Sequence, residues 1–94
     1  MKKGTEVIVR TYSAGVHFGK LQSQKGKEVV LHDARRIWQW QGAFTLSAVA
    51  IKGVAAASKL SVSVPEIVLT EAIEIIPCSK EAVKILRGIK AHDE

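Results

Sequence analysis

A change of hydrophobic period at Gly42 divides the chain. Before it, apolar side chains recur at every second residue; directly after it, over residues 44–57, they recur at helical spacing. Residues 5–12 are rich in β-branched side chains, with Val7 and Val9 on one face. Residues 16–22 read as a second strand, with Val16 and Phe18 on one side and His17 and Leu21 on the other. Residues 28–32 and 35–41 read as a third and a fourth. Ser13, Ala14 and Gly15 supply the first turn, and the polar stretch 22–27 around Gly26 supplies a hairpin loop. Asp33-Ala34 is a tight connection or a bulge. Short strands with short turns imply an antiparallel meander.

Beyond Gly42, Phe44, Leu46, Val49, Ala50, Gly53, Val54 and Ala57 fall at helical spacing. Thr45 stands as N-cap and Phe44 as the residue that would staple it. Residues 61–64 alternate strictly and stop at Pro65, which suits an extended connector or edge segment. Residues 67–76 form one apolar strand, because their β-branched content outweighs the helical placement of Glu71 and Glu74. Ser79 caps a last helix over 80–90, with Ala82, Ile85, Leu86 and Ile89 in one stripe, and residues 91–94 fray. The expected class is therefore α+β in a single domain, residues 1–94: an antiparallel β-meander sheet with two helices packed on one face, in the order β-β-β-β-α-β-α. Such a sheet leaves its other face uncovered.

Length and charge narrow the function classes. Ninety-four residues suffice for one core only. No apolar run exceeds four residues, so a membrane span is not expected, and Glu6 and Arg10 spoil residues 5–12 as a signal-peptide core. A single cysteine excludes an internal disulfide framework. The formal charge of +5 is uneven: residues 1–42 hold eight Lys/Arg against three acids (+5), residues 43–94 six against six (zero). The N-terminal half should attract anions.

Residues 35–40, RRIWQW, hold both tryptophans and two of the four arginines. On a strand, Arg36, Trp38 and Trp40 share one face and Arg35, Ile37 and Gln39 the other. If Ile37 faces inward, two indoles and a guanidinium stand in a row outside, suited to a partner subunit or a flat ligand. If the tryptophans face inward, they are core. Pairing symmetric about 24 and 25 would set His17 opposite His32, a geometry compatible with a phosphate contact, yet two histidines make no zinc site. Cys78 would need a neighbouring base and a lowered pKa to act as a nucleophile; otherwise it is an inert thiol. No Gly-rich phosphate loop, metalloprotease or nucleophile-elbow motif occurs, and Glu71 and Glu74 lie on opposite faces of a strand. The expected protein is non-enzymatic, without catalytic residues, metal or cofactor.

Residues 12–19 (YSAGVHFG), 33–43 (DARRIWQWQGA) and 69–78 (LTEAIEIIPC) together resemble a family of short proteins encoded by tailed bacteriophages and prophages, known as a domain of unknown function. The resemblance covers most of the chain and departs in the 52–64 connector and after Cys78. It implies a phage protein working in the host bacterial cytoplasm, and it carries over no catalytic residue. In that setting the expected function is binding. The leading expectation is a homo-oligomeric counter-defence factor that sequesters an anionic nucleotide signal or blocks a host immune protein. Its ligand site would use Arg35, Arg36, Trp38 and Trp40, with Arg10, Tyr12 and His17 beside them. A virion structural or decoration protein is the alternative. A basic nucleic-acid-binding accessory protein, working through Lys20, Lys25 and Lys27, is the second.

Overall fold

A computed structural model describes residues 1–92. Its elements are β1 (Glu6–Thr11), β2 (Val16–Lys25), β3 (Glu28–Gln39), α1 (Leu46–Lys52), β4 (Lys59–Leu60), β5 (Val64–Leu69), β6 (Ala72–Pro77) and α2 (Lys80–Gly88). The class is α+β, and every strand pairing is antiparallel. The order across the sheet is β4-β3-β2-β1-β6, with β5 on β3 beside β4.

This order forces the sheet to curl. β5 and β6 are joined by only Thr70 and Glu71, yet β5 lies on β3 and β6 lies on β1. Four inter-strand spacings in a flat sheet would separate them by about 19 Å. The chain from Leu69 to Ala72 spans at most about 11 Å. The ends meet because β2 and β3 bend. Their register slips between Phe18 and Lys20, where a Cβ on Gly19 would lie 3.1 Å from the His32 carbonyl oxygen. Opposite it, Asp33 takes φ +49°, a bulge that lets Leu31 and Ala34 share a face. The Ala72 N–H donating to the Lys27 carbonyl at 3.0 Å joins β6 to the β2–β3 hairpin.

Curling produces two cores. Val7, Val9, Leu21, Val29, Leu31, Ala34 and Leu69 fill the concave side. Ile8, Phe18 and Ile37 face the other way and pack with Leu60 on Val49 and Ala50 of α1 and Ala82 and Leu86 of α2. The helices thus lie on one face, as the periodicity predicts. The opposite face, expected to be bare, is instead buried within the curl over most of its area, while its end at Arg36 and Trp38 of β3 stays exposed.

The element order differs from expectation in definite ways. The third and fourth predicted strands are one strand, β3, since Asp33 makes the bulge rather than the connection. The predicted strand 67–76 is two, broken at Thr70-Glu71, and Lys59–Leu60 adds a short strand inside the predicted connector region. The order is therefore β-β-β-α-β-β-β-α. Thr45 caps α1 by accepting from the Ala48 N–H at 3.1 Å, and Ser79 caps α2 from the Ala82 N–H at 3.0 Å. Phe44 makes no staple: its side chain is fully exposed. Of the tail predicted to fray, Ala91 bridges to Leu60 and the His92 N–H donates to the Leu60 carbonyl at 2.8 Å. Residues 93–94 lie outside the described residues.

α1 stops early because Gly53 takes φ +77° and ψ −155°, a region open essentially to glycine. A Cβ there would sit 2.9 Å from Ile85 Cβ of α2. Gly53→Ala is expected to cost about 2–4 kcal/mol, combining backbone strain and overpacking. A lowered urea midpoint at unchanged slope would report it; an unchanged midpoint would refute this account of the α1–α2 contact.

Candidate functional site

The Asp33 bulge decides where each of the paired arginines points. Arg35 turns to the helix side and is buried; its Nε donates to the Ser61 carbonyl at 2.8 Å and its Nη1 to the Leu86 carbonyl at 2.7 Å, so it caps the last turn of α2. Arg36 turns the other way and is exposed, directly opposite His17 in the β2–β3 ladder. Its backbone N–H donates to Ser61 Oγ at 2.8 Å. Among the described residues, no carboxylate lies within salt-bridge distance of Arg36.

The two tryptophans separate in the same manner. Trp38, on the Arg36 side, is 42% exposed. Lys59 Nζ stands 5.2 Å from its ring centroid, and the His92 ring lies 5.7 Å away at a tilt of 59°. Trp40, past the end of β3, returns to pack against the helix-side core. The expected row of Arg36, Trp38 and Trp40 is therefore shortened to Arg36 and Trp38, with Lys59 and His92 joining them. Sequence reasoning missed those two. β4 is too short to leave a period, and the His92 position depends on the tail bonding to Leu60.

Two hollows lie beside β3, the first on this face and the second on the Arg35 side. One, of about 190 Å³, is bounded by His17, Arg36, Val64 and Ile67, with Ser61 and Val62 at its side. The other, of about 470 Å³, lies between Lys20, Asp33, Arg35, Arg87, Val62 and Ser63. The larger has the volume for a small ligand, but its charges are engaged. Lys20 Nζ is 3.3 Å from Asp33 Oδ2. The Arg87 guanidinium lies over the Phe18 ring at 4.4 Å, 2.7 Å from a Glu6 oxygen, and donates to the Asp33 carbonyl at 2.6 Å. These bonds clamp the bulge to α2. On this face, Arg36 and Lys59 are the cations without a carboxylate partner among the described residues.

The remaining expected residues lie apart. Arg10 shares a cross-strand row with Val16, Ile37 and Leu60, which puts it on the helix side, and its Nε lies 3.1 Å from Glu74 Oε1. Tyr12 is 80% exposed in the β1–β2 turn, its N–H bonded to the Glu71 carbonyl. The expected His17–His32 pairing does not form, because the hairpin turns at Gly26-Lys27 and sets His32 opposite Lys20. His32 Nε2 instead lies 2.9 Å from Glu66 Oε1. Cys78 is half-buried; burial and the Glu6 carboxylate, offset in part by Arg87, push its thiol up to about 12, so it stays protonated at neutral pH.

His17 is buried, and its Nε2 donates to the Ala14 carbonyl at 2.9 Å. Burial holds its pKa below the ordinary value, the carbonyl bond opposing and the Arg36 charge assisting. The unfolded chain therefore binds the proton more readily. His17 supplies stability above about pH 6.5 that is lost as pH falls from there toward the depressed folded value. Between pH 7.5 and 5, the urea midpoint is expected to fall, with a slope of at most about 1.4 kcal/mol per pH unit from this group. His17→Gln should flatten that slope; an equal slope in the variant would assign the effect elsewhere.

Among the described residues, no three His, Cys, Asp or Glu side chains converge as metal ligands, and no helix is long and apolar enough to cross a membrane. No curated protein and no solved structure matches the chain. One family does, over residues 4–86, which include β1 through most of α2 and therefore the curled sheet, the Asp33 bulge and the Arg36–Trp38 face. The chain belongs to the family described as a domain of unknown function, DUF6948.

Proposed function

We propose that this chain is a non-enzymatic binding protein whose Arg36–Trp38–Lys59 face takes an anionic, nucleotide-like ligand. The observation that carries the reading is a half-exposed indole with one cation over its ring and a second, without a carboxylate partner, two residues along the strand. An aromatic plate suits a base, and the ammonium and guanidinium suit phosphate. The hollow beside Arg36, at about 190 Å³, is below the usual range for a small-molecule site of roughly 300–1,000 Å³. A second copy closing over the face would complete the enclosure, which makes a homo-oligomer part of the proposal. The resemblance to phage and prophage proteins supports a counter-defence role in the bacterial host: sequestering a nucleotide signal, or covering a host immune protein.

Phe44 and Ile51 favour a second reading. Phe44, just before α1, and Ile51, on α1, are exposed apolar side chains in a small protein, and lateral packing in a virion would cover them.

Thermal denaturation against a panel of cyclic and ADP-ribose-derived nucleotides tests the first reading. A ligand at a thousandfold excess over its Kd should stabilise the protein by about 4 kcal/mol. Trp38→Ala and Arg36→Glu should each abolish the shift while leaving the unliganded protein folded. No shift with any nucleotide, together with co-purification with capsid protein, would move the assignment to the virion. Light scattering tests assembly separately. A mass above the 10.2 kDa of one chain is expected, with Trp38→Ala lowering it more than Lys25→Ala; a monomer at high concentration would remove the shared-site proposal.

A further inference from the structure

A second surface, remote in the sheet from the Arg36–Trp38 face, has its own chemistry. β6 ends the strand order: β1 pairs with one side of it, and among the described residues no strand pairs with the other. The ladder phase fixes which backbone groups face that open side. The Cys78 N–H donates to the Glu6 carbonyl at 2.9 Å, so residues 78, 76 and 74 are the ones whose backbone bonds run to β1 at Glu6, Ile8 and Arg10. Ile75, alternating with them, directs its N–H and C=O outward. Beside this edge runs a groove of about 310 Å³ between β6 and the tip of the β2–β3 hairpin, lined by Gln24, Gly26, Ala72, Ile73, Glu74 and Ile75.

The groove's surroundings are basic. Lys25 and Lys27 flank Gly26 at the hairpin tip, and Lys2 and Lys3 follow Met1, which also borders the groove. Among the described residues, none of these four lysines has a carboxylate within salt-bridge distance. The nearby acids are Glu28, opposite Lys25 in the hairpin ladder; Glu71, which accepts from Ser13 Oγ; and Glu74, already paired with Arg10. Lysines beside a free edge deter pairing with a like copy, since two such grooves would set their charges against each other. The same lysines favour a strand of opposite charge.

We infer that the β6 edge accepts an extended acidic peptide segment of a partner protein by strand addition. The Ile75 N–H and C=O supply main-chain bonds, the exposed Ile73 side chain gives apolar contact, and Lys25 and Lys27 pair with the segment's carboxylates. This site stands independently of the nucleotide-like ligand proposed for the Arg36–Trp38 face.

Amide hydrogen exchange read by NMR tests it, with the synthetic peptide Ac-Val-Asp-Val-Asp-Val-Asp-Val-NH2 as probe and its Lys-for-Asp counterpart as control. The acidic peptide is expected to slow exchange at Ile75 by about tenfold at ninety per cent occupancy, with no comparable change at Trp38. The effect should fade in high salt and vanish in Lys25→Glu/Lys27→Glu, whose exposed positions leave the fold intact, as an unchanged midpoint would verify. Unaltered exchange at Ile75 with millimolar acidic peptide would overturn the inference. Equal protection by the basic control would do so too, as would protection that rises with protein concentration alone, because that would make the occupant a second copy.

Discussion

The two-residue link between β5 and β6 is the constraint on which the remaining geometry rests. It ties together strands that pair with different partners, so the sheet has to bend, and it can bend only where β2 and β3 yield. Gly19 yields by bringing the strands close; Asp33 yields by adding a residue to one side of the ladder. Arg87 holds the bulge in place through the Asp33 carbonyl while its guanidinium lies over Phe18. Because the bulge resets the alternation of β3, it sends Arg35 under the helices and leaves Arg36 in solvent. Every residue downstream on that strand inherits its side from this reset.

Much of this was legible in the sequence. Gly42 falls between the first three strands and the first helix, Thr45 and Ser79 cap their helices as their side chains suggest, and Asp33-Ala34 is visibly irregular. What was not legible is closure. A meander read from local period has a bare face, whereas the real sheet curls until that face is largely covered, held by contacts between residues far apart, such as Lys27 with Ala72. The run 67–76 carries β-branched residues on both sides of Thr70-Glu71, and that pair includes no Gly, Pro or Asn, so the break carries no turn signal. For the site, the alternation of RRIWQW correctly predicts that Arg36 and Trp38 share a side with Ile37 opposite. It fails for Trp40, which lies beyond the strand, where period two no longer applies.

The structure also separates cations that sequence composition lumps together. The N-terminal half holds the whole net charge, but Lys20 and Arg10 are spent on carboxylates, and Arg35 on backbone carbonyls. What remains is two groups in different places: Arg36, joined by Lys59 from the C-terminal half, around an indole, and Lys2, Lys3, Lys25 and Lys27 around an open strand edge. An aromatic plate with two cations and a hydrogen-bonding edge with four are suited to different ligands. A single net charge hides that distinction.

The closure between β1 and β6 bears on how the chain acquires its shape during synthesis. β1 begins at Glu6, yet the strand that covers its second side ends at Pro77. Until that late segment leaves the ribosome, the nascent protein can hold at most a partial hairpin sheet with its concave apolar residues open to water. Productive collapse is thereby postponed until β6 has been synthesised, and a truncated product lacking β6 would be an aggregation-prone fragment rather than a smaller version of the same molecule.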